Sequence, residues 1–150
     1  MTIRSRLLLR HELDALQDTD VSNSGHWFDK SRVLQEGVQI PNPDRAVIDP
    51  AKLYGYLLAP GHPVGRFKAA FFLALGYTSN DWRRLDADLR SQHLSQEATS
   101  EASAMYGQKY TIRARLEGPS GASADIVSVW VVRRGEDFPR FVTAYPEGSI

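Results

Sequence analysis

The hydropathy pattern of the chain changes period once along its length. Through the first two thirds, apolar residues recur three and four positions apart. In the last third they alternate. Leu7, Leu8, Leu9, Leu13 and Leu16 fit a short amphipathic helix, and Asp18 to Gly25 reads as a loop of turn formers. His26 to Gly37 fits either a helical turn or a hairpin. Ile40 to Pro50 carries three prolines and predicts an extended lead-in, with Asp49 as the cap and Pro50 in the first turn of the next helix. Leu53, Tyr54, Leu57 and Leu58 give that helix one face, and Pro60-Gly61 stops it. After the loop His62-Pro63-Val64, Gly65 precedes a second helix with Phe67, Phe71, Ala74 and Leu75 as its apolar stripe and Gly76 as its C-terminal stop. Asp81 is placed to cap a third helix, in which Trp82, Leu85 and Leu89 recur. Gln96 to Ser103 is polar and reads as a loop.

From Gln108 to Leu116, Tyr110, Ile112, Ala114 and Leu116 alternate with Thr111, Arg113 and Arg115. Gly118 to Gly121 is a turn. Ala122 to Arg133 is a β-branched run, Arg134 to Asp137 a second turn, and Pro139 to Tyr145 a third strand. The pattern predicts an α+β fold: N-terminal helices packed on one face of a small antiparallel β-meander. Residues 1–40 read as an arm of uncertain structure, and 41–150 as a single domain.

Composition narrows the chemistry. The chain has 150 residues and no cysteine, so disulfides, thiolate zinc sites, iron–sulfur clusters and cysteine nucleophiles are excluded. Its length suffices for a core without a structural metal. The formal net charge is zero, but unevenly spread: residues 1–50 carry six basic and eight acidic side chains, residues 51–90 six and three. A basic central third is compatible with a local phosphate site. The start of the chain has too short an apolar run for a signal peptide or a spanning helix, so a cytoplasmic protein that contacts no membrane is expected. Walker and Rossmann glycine patterns are absent, and the four histidines lack metal-ligand spacing, so no metal and no cofactor are expected.

Three stretches carry a resemblance: DPAKLYGYLLAPGHPVGRFKAAFFLALGY (Asp49 to Tyr77), YGQKYTIRARLEGPSGASADIVSVWVV (Tyr106 to Val132) and FVTAYP (Phe141 to Pro146). Together they resemble a bacterial family described as a domain of unknown function, found alone and at the C-termini of adhesin-like polymorphic toxins. The order of elements and the final Thr-x-Tyr-Pro are similar, more distantly, to the barnase–EndoU–colicin–RelE class of small RNases. The resemblance implies a toxin, with possible delivery into a target cell and a cognate immunity or antitoxin protein as partner.

Metal-independent RNA cleavage needs a base for the 2′-hydroxyl, an acid for the leaving oxygen and cations for the phosphate. His62 has the chemistry of the acid or base. Arg66 and Lys68 follow it closely and suit phosphate. Thr143 and Tyr145, two apart on a strand and sharing a face with Phe141, could orient that phosphate. Arg113 and Arg115 suit RNA backbone contact. Each has a plainer reading: a capping loop histidine, a snorkelling lysine, good strand formers, and arginines protecting a sheet edge. Trp130 reads as core. Trp82 with Arg83 and Arg84 could stack a base, but a buried helix Trp reads better. The expectation is a ribonuclease toxin with RNA as substrate and His62, Lys68, Thr143 and Tyr145 as its catalytic set. The alternative is a non-enzymatic protein- or RNA-binding module of a toxin–antitoxin or phage-defence system. Zinc deamination lacks its cysteines, and no motif points to ADP-ribosyl transfer.

Overall fold

The computed structural model describes residues 34–63, 66–103, 105 and 107–148. The leucine helix over residues 7–16, the loop at 18–25 and the start of the ambiguous stretch lie outside them. The described chain folds as α+β. It holds a five-stranded sheet in the order β1 (Gln35–Val38), β2 (Ala98–Ser103), β3 (Gly107–Glu117), β4 (Ser123–Val132) and β5 (Arg140–Pro146). Every neighbouring pair is antiparallel. Three of these strands and the turns between them fall where alternation places them. The other two do not. β2 occupies the polar stretch expected as a loop, and β1 pairs with it across Gln35↔Ser100 and Val38↔Ala98. β3 is thus interior over Gly107–Thr111, whereas Arg113 and Arg115 lie beyond the β2 pairing, where β4 alone is the strand neighbour.

Helix α1 begins as an α-helix at Pro50–Lys52 and continues as a π-helix over Leu53–Leu57. Asp49 caps it, its carboxylate accepting from the Ala51 amide at 3.0 Å. The lead-in before it runs beside β5: the Val47 amide donates to the Pro139 carbonyl and the Phe141 amide to the Val47 carbonyl, both at 2.9 Å. Helix α2 spans Arg66–Ala74, and α3 runs as an α-helix over Trp82–Asp88 and a π-helix over Leu89–His93. The cap before α3 is Thr78, not Asp81: the Thr78 hydroxyl accepts from the Asp81 amide and starts a 3₁₀ turn at Ser79–Asp81. The stripe expected on α2 holds in part: Leu75 is buried and Phe71 packs against the core, but Phe67 is 71% exposed and Ala74 is exposed, while Ala69 and Phe72 are buried instead. An apolar residue at nearly every position of this helix leaves its phase to tertiary packing.

One apolar cluster joins these elements. Leu53, Leu57, Phe72, Leu85 and Leu89 from the helices meet Ile112, Leu116, Ile126, Trp130 and Phe141 from the sheet. Each such leucine contributes about 1.5–3 kcal/mol by leaving water. Truncating Leu89 to alanine would cost about 2–5 kcal/mol.

Two polar networks cross the interior. The His93 ring lies between Ser128 Oγ (2.8 Å from Nδ1) and the Ala114 carbonyl (3.1 Å from Nε2), and Trp130 Nε1 donates to Ser128 Oγ at 2.9 Å. A carbonyl only accepts, so Nε2 carries the proton. Nδ1 then accepts from the Ser128 hydroxyl, whose oxygen accepts from the indole. Every member is satisfied with the imidazole neutral, and burial pushes its pKa down to about 4. In the second network the Tyr77 hydroxyl donates to Asp88 Oδ2 at 2.6 Å, and Arg84 Nε donates to the same oxygen at 3.1 Å. Asp88 is buried. Burial, and then the Asp88 carboxylate, hold the Tyr77 phenol protonated well above its ordinary range.

The β3–β4 turn docks on the end of α2. The Leu75 carbonyl accepts from the Ser120 amide (3.1 Å) and hydroxyl (2.9 Å). Gly118 permits this approach, since a Cβ there would stand 2.1 Å from the Leu75 carbonyl oxygen. Gly76 leaves the helix with φ 104°, a region that favours glycine.

Candidate functional site

The side of α2 that packs inward also carries Lys68, in register with Phe72 and Leu75. Its stem is half-buried, and its ammonium reaches the edge strand β5. On α1, Lys52 and Tyr56 stand four apart and therefore on one side. The third contributor comes from a bulge. Trp130 pairs with Phe141 but Val129 with Thr143, so Val142 is an extra residue in β5. Cross-strand partners share a face. Phe141 thus lies with the core residue Trp130, while Thr143 and Tyr145 lie with Val129 and Val127. The expectation that all three share one face is corrected, and the cause is this inserted residue.

Lys68 Nζ donates to the Tyr56 hydroxyl oxygen and to Thr143 Oγ1, each at 3.1 Å. An ammonium has three donors and no acceptor, so both oxygens must accept from it. Their hydrogens are thereby turned away from the lysine. Among the described residues neither hydroxyl donates elsewhere, and Lys68 keeps a third N–H. Tyr56, Lys68 and Thr143, with Lys52 and Val142, line an open depression of about 350 Å³. Lys52 Nζ donates to the Val142 carbonyl at 3.4 Å. The ion pairs among the described residues use Asp86, Asp88, Asp125, Glu136, Asp137 and Glu147, and none involves Lys52 or Lys68. An anionic oxygen beside Lys68 would gain about 4 kcal/mol at an effective dielectric near 20.

Two further residues proposed from the sequence lie near residues that line this depression. The Tyr145 ring lies 5.8 Å from Lys68 Nζ. Burial raises its phenol pKa, with Arg113 opposing, so it remains a donor at neutral pH. The His62 ring meets the Tyr56 ring edge-on, with centroids 5.0 Å apart. The three arginines are engaged elsewhere. Arg66 donates to the Pro63 carbonyl at 2.7 Å and lies over the Phe67 ring. Arg113 pairs with Glu147 at 3.6 Å, and Arg115 pairs with Asp125 and donates to Ser123. Such exposed pairs are worth about 0–1 kcal/mol each. Sequence reasoning missed Tyr56 and Lys52. Their spacing of four on one short helix was the available signal.

No three His, Asp or Glu side chains among the described residues gather as a metal cluster, and no described helix is long and apolar enough to cross a membrane. No curated protein and no solved structure matches the chain. A family model does match, over residues 39–148, and this stretch contains α1, α2, α3, the bulged strand and all five residues that line the depression. The chain thus belongs to the family described as a domain of unknown function, DUF6883.

Proposed function

We propose that the chain is a metal-independent ribonuclease of bacterial toxin type, acting on RNA in the cytoplasm of the cell it poisons. The carrying observation is the Lys68 ammonium, which holds the Tyr56 and Thr143 hydroxyls by their oxygens at 3.1 Å with no carboxylate paired to it among the described residues. This arrangement favours a phosphate whose charge grows during reaction. The reading takes the helices to cover one face of the sheet, with the site at the β5 edge.

In the proposed reaction His62 takes the proton of a ribose 2′-hydroxyl, and that oxygen bonds to phosphorus. The bond from phosphorus to the 5′-oxygen breaks, leaving its electron pair on that oxygen. The Tyr56 hydroxyl supplies the proton and is replenished from water. The products are a 2′,3′-cyclic phosphate and a free 5′-hydroxyl. Lys68 and Thr143 donate to the non-bridging oxygens, Lys52 adds charge, and Tyr145 donates from the border. Arg66, Arg113 and Arg115 have protein partners in the described structure and are not assigned to the phosphate. A host making such an enzyme needs an inhibitor, so a cognate immunity or antitoxin protein belongs to the proposal.

Expression in a bacterium tests the reading. Wild type should arrest growth and degrade cellular RNA, and Lys68→Ala should do neither. Equal growth with intact RNA for both would refute it. RNA bound but intact in vitro would favour the non-enzymatic binding module.

A further inference from the structure

A second depression opens beside α1, lined by Tyr54, Ser79, Asn80 and Trp82, with a volume of about 350 Å³. Tyr54 and Trp82 form an aromatic corner, their centroids 6.0 Å apart and their planes at 54°. Tyr54 is 47% exposed, and Trp82 is only half-buried. Asn80 offers an amide, which both donates and accepts, and Ser79 a hydroxyl. The Arg83 guanidinium lies 4.6 Å over the Trp82 ring and has no ion pair among the described residues. Aromatic faces, an edge-reading amide and an unneutralised guanidinium are what a nucleobase and its phosphate require.

Gly55 links this depression to the Lys68 site. It stands in the π-helical segment Leu53–Leu57, between Tyr54 of one depression and Tyr56 of the other, and it is exposed. A Cβ there would meet nothing within 4 Å, and its φ lies outside the left-handed region. Neither backbone conformation nor internal packing requires glycine, although glycine inside a helix costs roughly 0.5–1 kcal/mol against alanine. What its absent side chain leaves open is the outer surface, where a ligand can pass close to the backbone. π-Helical turns are frequent at such places.

We infer that Tyr54, Trp82, Arg83 and Asn80 form a nucleotide subsite for a single RNA strand that crosses α1 over Gly55 into the Lys68 depression. The inference rests on the ribonuclease reading for its ligand and defines that ligand further: single-stranded, with an unstacked base held next to the scissile linkage.

The probe is a fluorescein-labelled RNA octamer with 2′-O-methyl riboses throughout, which cannot react through its 2′-oxygens, so binding is read apart from cleavage. Fluorescence anisotropy with the full chain should show binding that weakens roughly 5- to 100-fold in Tyr54→Ala and in Trp82→Phe,Tyr54→Ala, the range expected for one stacked base. Gly55→Ala should raise Tm by a few degrees yet weaken binding, a combination that lost folding cannot produce. Three results overturn the subsite: no binding by wild type, unchanged affinity in these variants, or equal affinity for the duplex of the same sequence. Unchanged affinity with cleavage of unmodified RNA removes the subsite and leaves the ribonuclease reading. Binding that depends on Tyr54 without cleavage of unmodified RNA does the reverse.

Discussion

Lowering the pH from about 7.5 to about 4.5 acts on the buried His93 in a way that can be worked out from its partners. The imidazole is fully buried, donates to the Ala114 carbonyl and accepts from Ser128, so a second ring proton would have to displace the Ser128 hydroxyl hydrogen. Burial therefore lowers the folded-state pKa from 6.5 to about 4. The unfolded chain takes its proton first. Stability from this group is complete above pH 6.5 and is lost as pH falls through the window down to about 4. At about 1.4 kcal/mol per pH unit the whole loss is about 3 kcal/mol. Roughly 2–3 kcal/mol of it is gone by pH 4.5. Urea unfolding of wild type and His93→Leu across this range isolates the term. The variant should be less stable at pH 7.5 by about 1–3 kcal/mol, because the Ser128 hydroxyl and the Ala114 carbonyl lose partners. That gap should close as pH falls. Carboxylates held down by their arginines, such as Glu136 beside Arg140 and Asp137 beside Arg45, titrate alike in both proteins and cancel. Parallel curves from pH 7.5 to 4.5 would refute the buried neutral state of His93.

Three further outcomes are expected. Tyr77→Phe should lower stability by about 1–3 kcal/mol in urea unfolding at pH 7, since the buried Asp88 loses the nearer of its two donors, at 2.6 Å, and keeps only Arg84. Gly118→Ala should destabilise by about 1–3 kcal/mol or fail to fold, because its Cβ would stand 2.1 Å from the Leu75 carbonyl oxygen. Arg113→Ala and Arg115→Ala should each shift stability by less than about 1 kcal/mol and leave RNA turnover unchanged, as both guanidiniums are exposed and already paired.

The helices that end in strong stops and the strands that alternate were legible from residues alone. Asp49 and Pro50 start α1, Gly76 ends α2, and Tyr110 to Leu116 trace β3. β2 was not legible. Its Ala98–Ser103 is built from small and polar residues, and its strand state comes from pairing with β3 on one side and β1 on the other. The phase of α2 was hidden by apolar residues on every side. Lys68 nonetheless pointed to the inward face, because it shares register with Phe72 and Leu75. Thr143 and Tyr145 were read as a pair, but the Val142 bulge that sets their face has no sequence mark. Tyr56 was overlooked because it reads as ordinary helix, and its role depends on Lys68, twelve residues away. The arginines were the opposite case: attractive by type and spacing, but engaged by partners, local for Arg66 and across the sheet for Arg113 and Arg115.

The central claim is that Lys68 organises the Tyr56 and Thr143 hydroxyls to stabilise phosphate charge during RNA cleavage. The direct measurement is single-turnover cleavage of a single-stranded RNA, in excess chelator, by wild type, Lys68→Met, Tyr56→Phe and the double variant, each verified as folded by its melting curve. Wild type should yield 2′,3′-cyclic phosphate ends. Lys68→Met should lose about 10²- to 10³-fold in rate. The double variant should lose little more than that, because the two groups act as a unit. Absence of cleavage by wild type, or a Lys68→Met rate equal to that of wild type, would contradict the account.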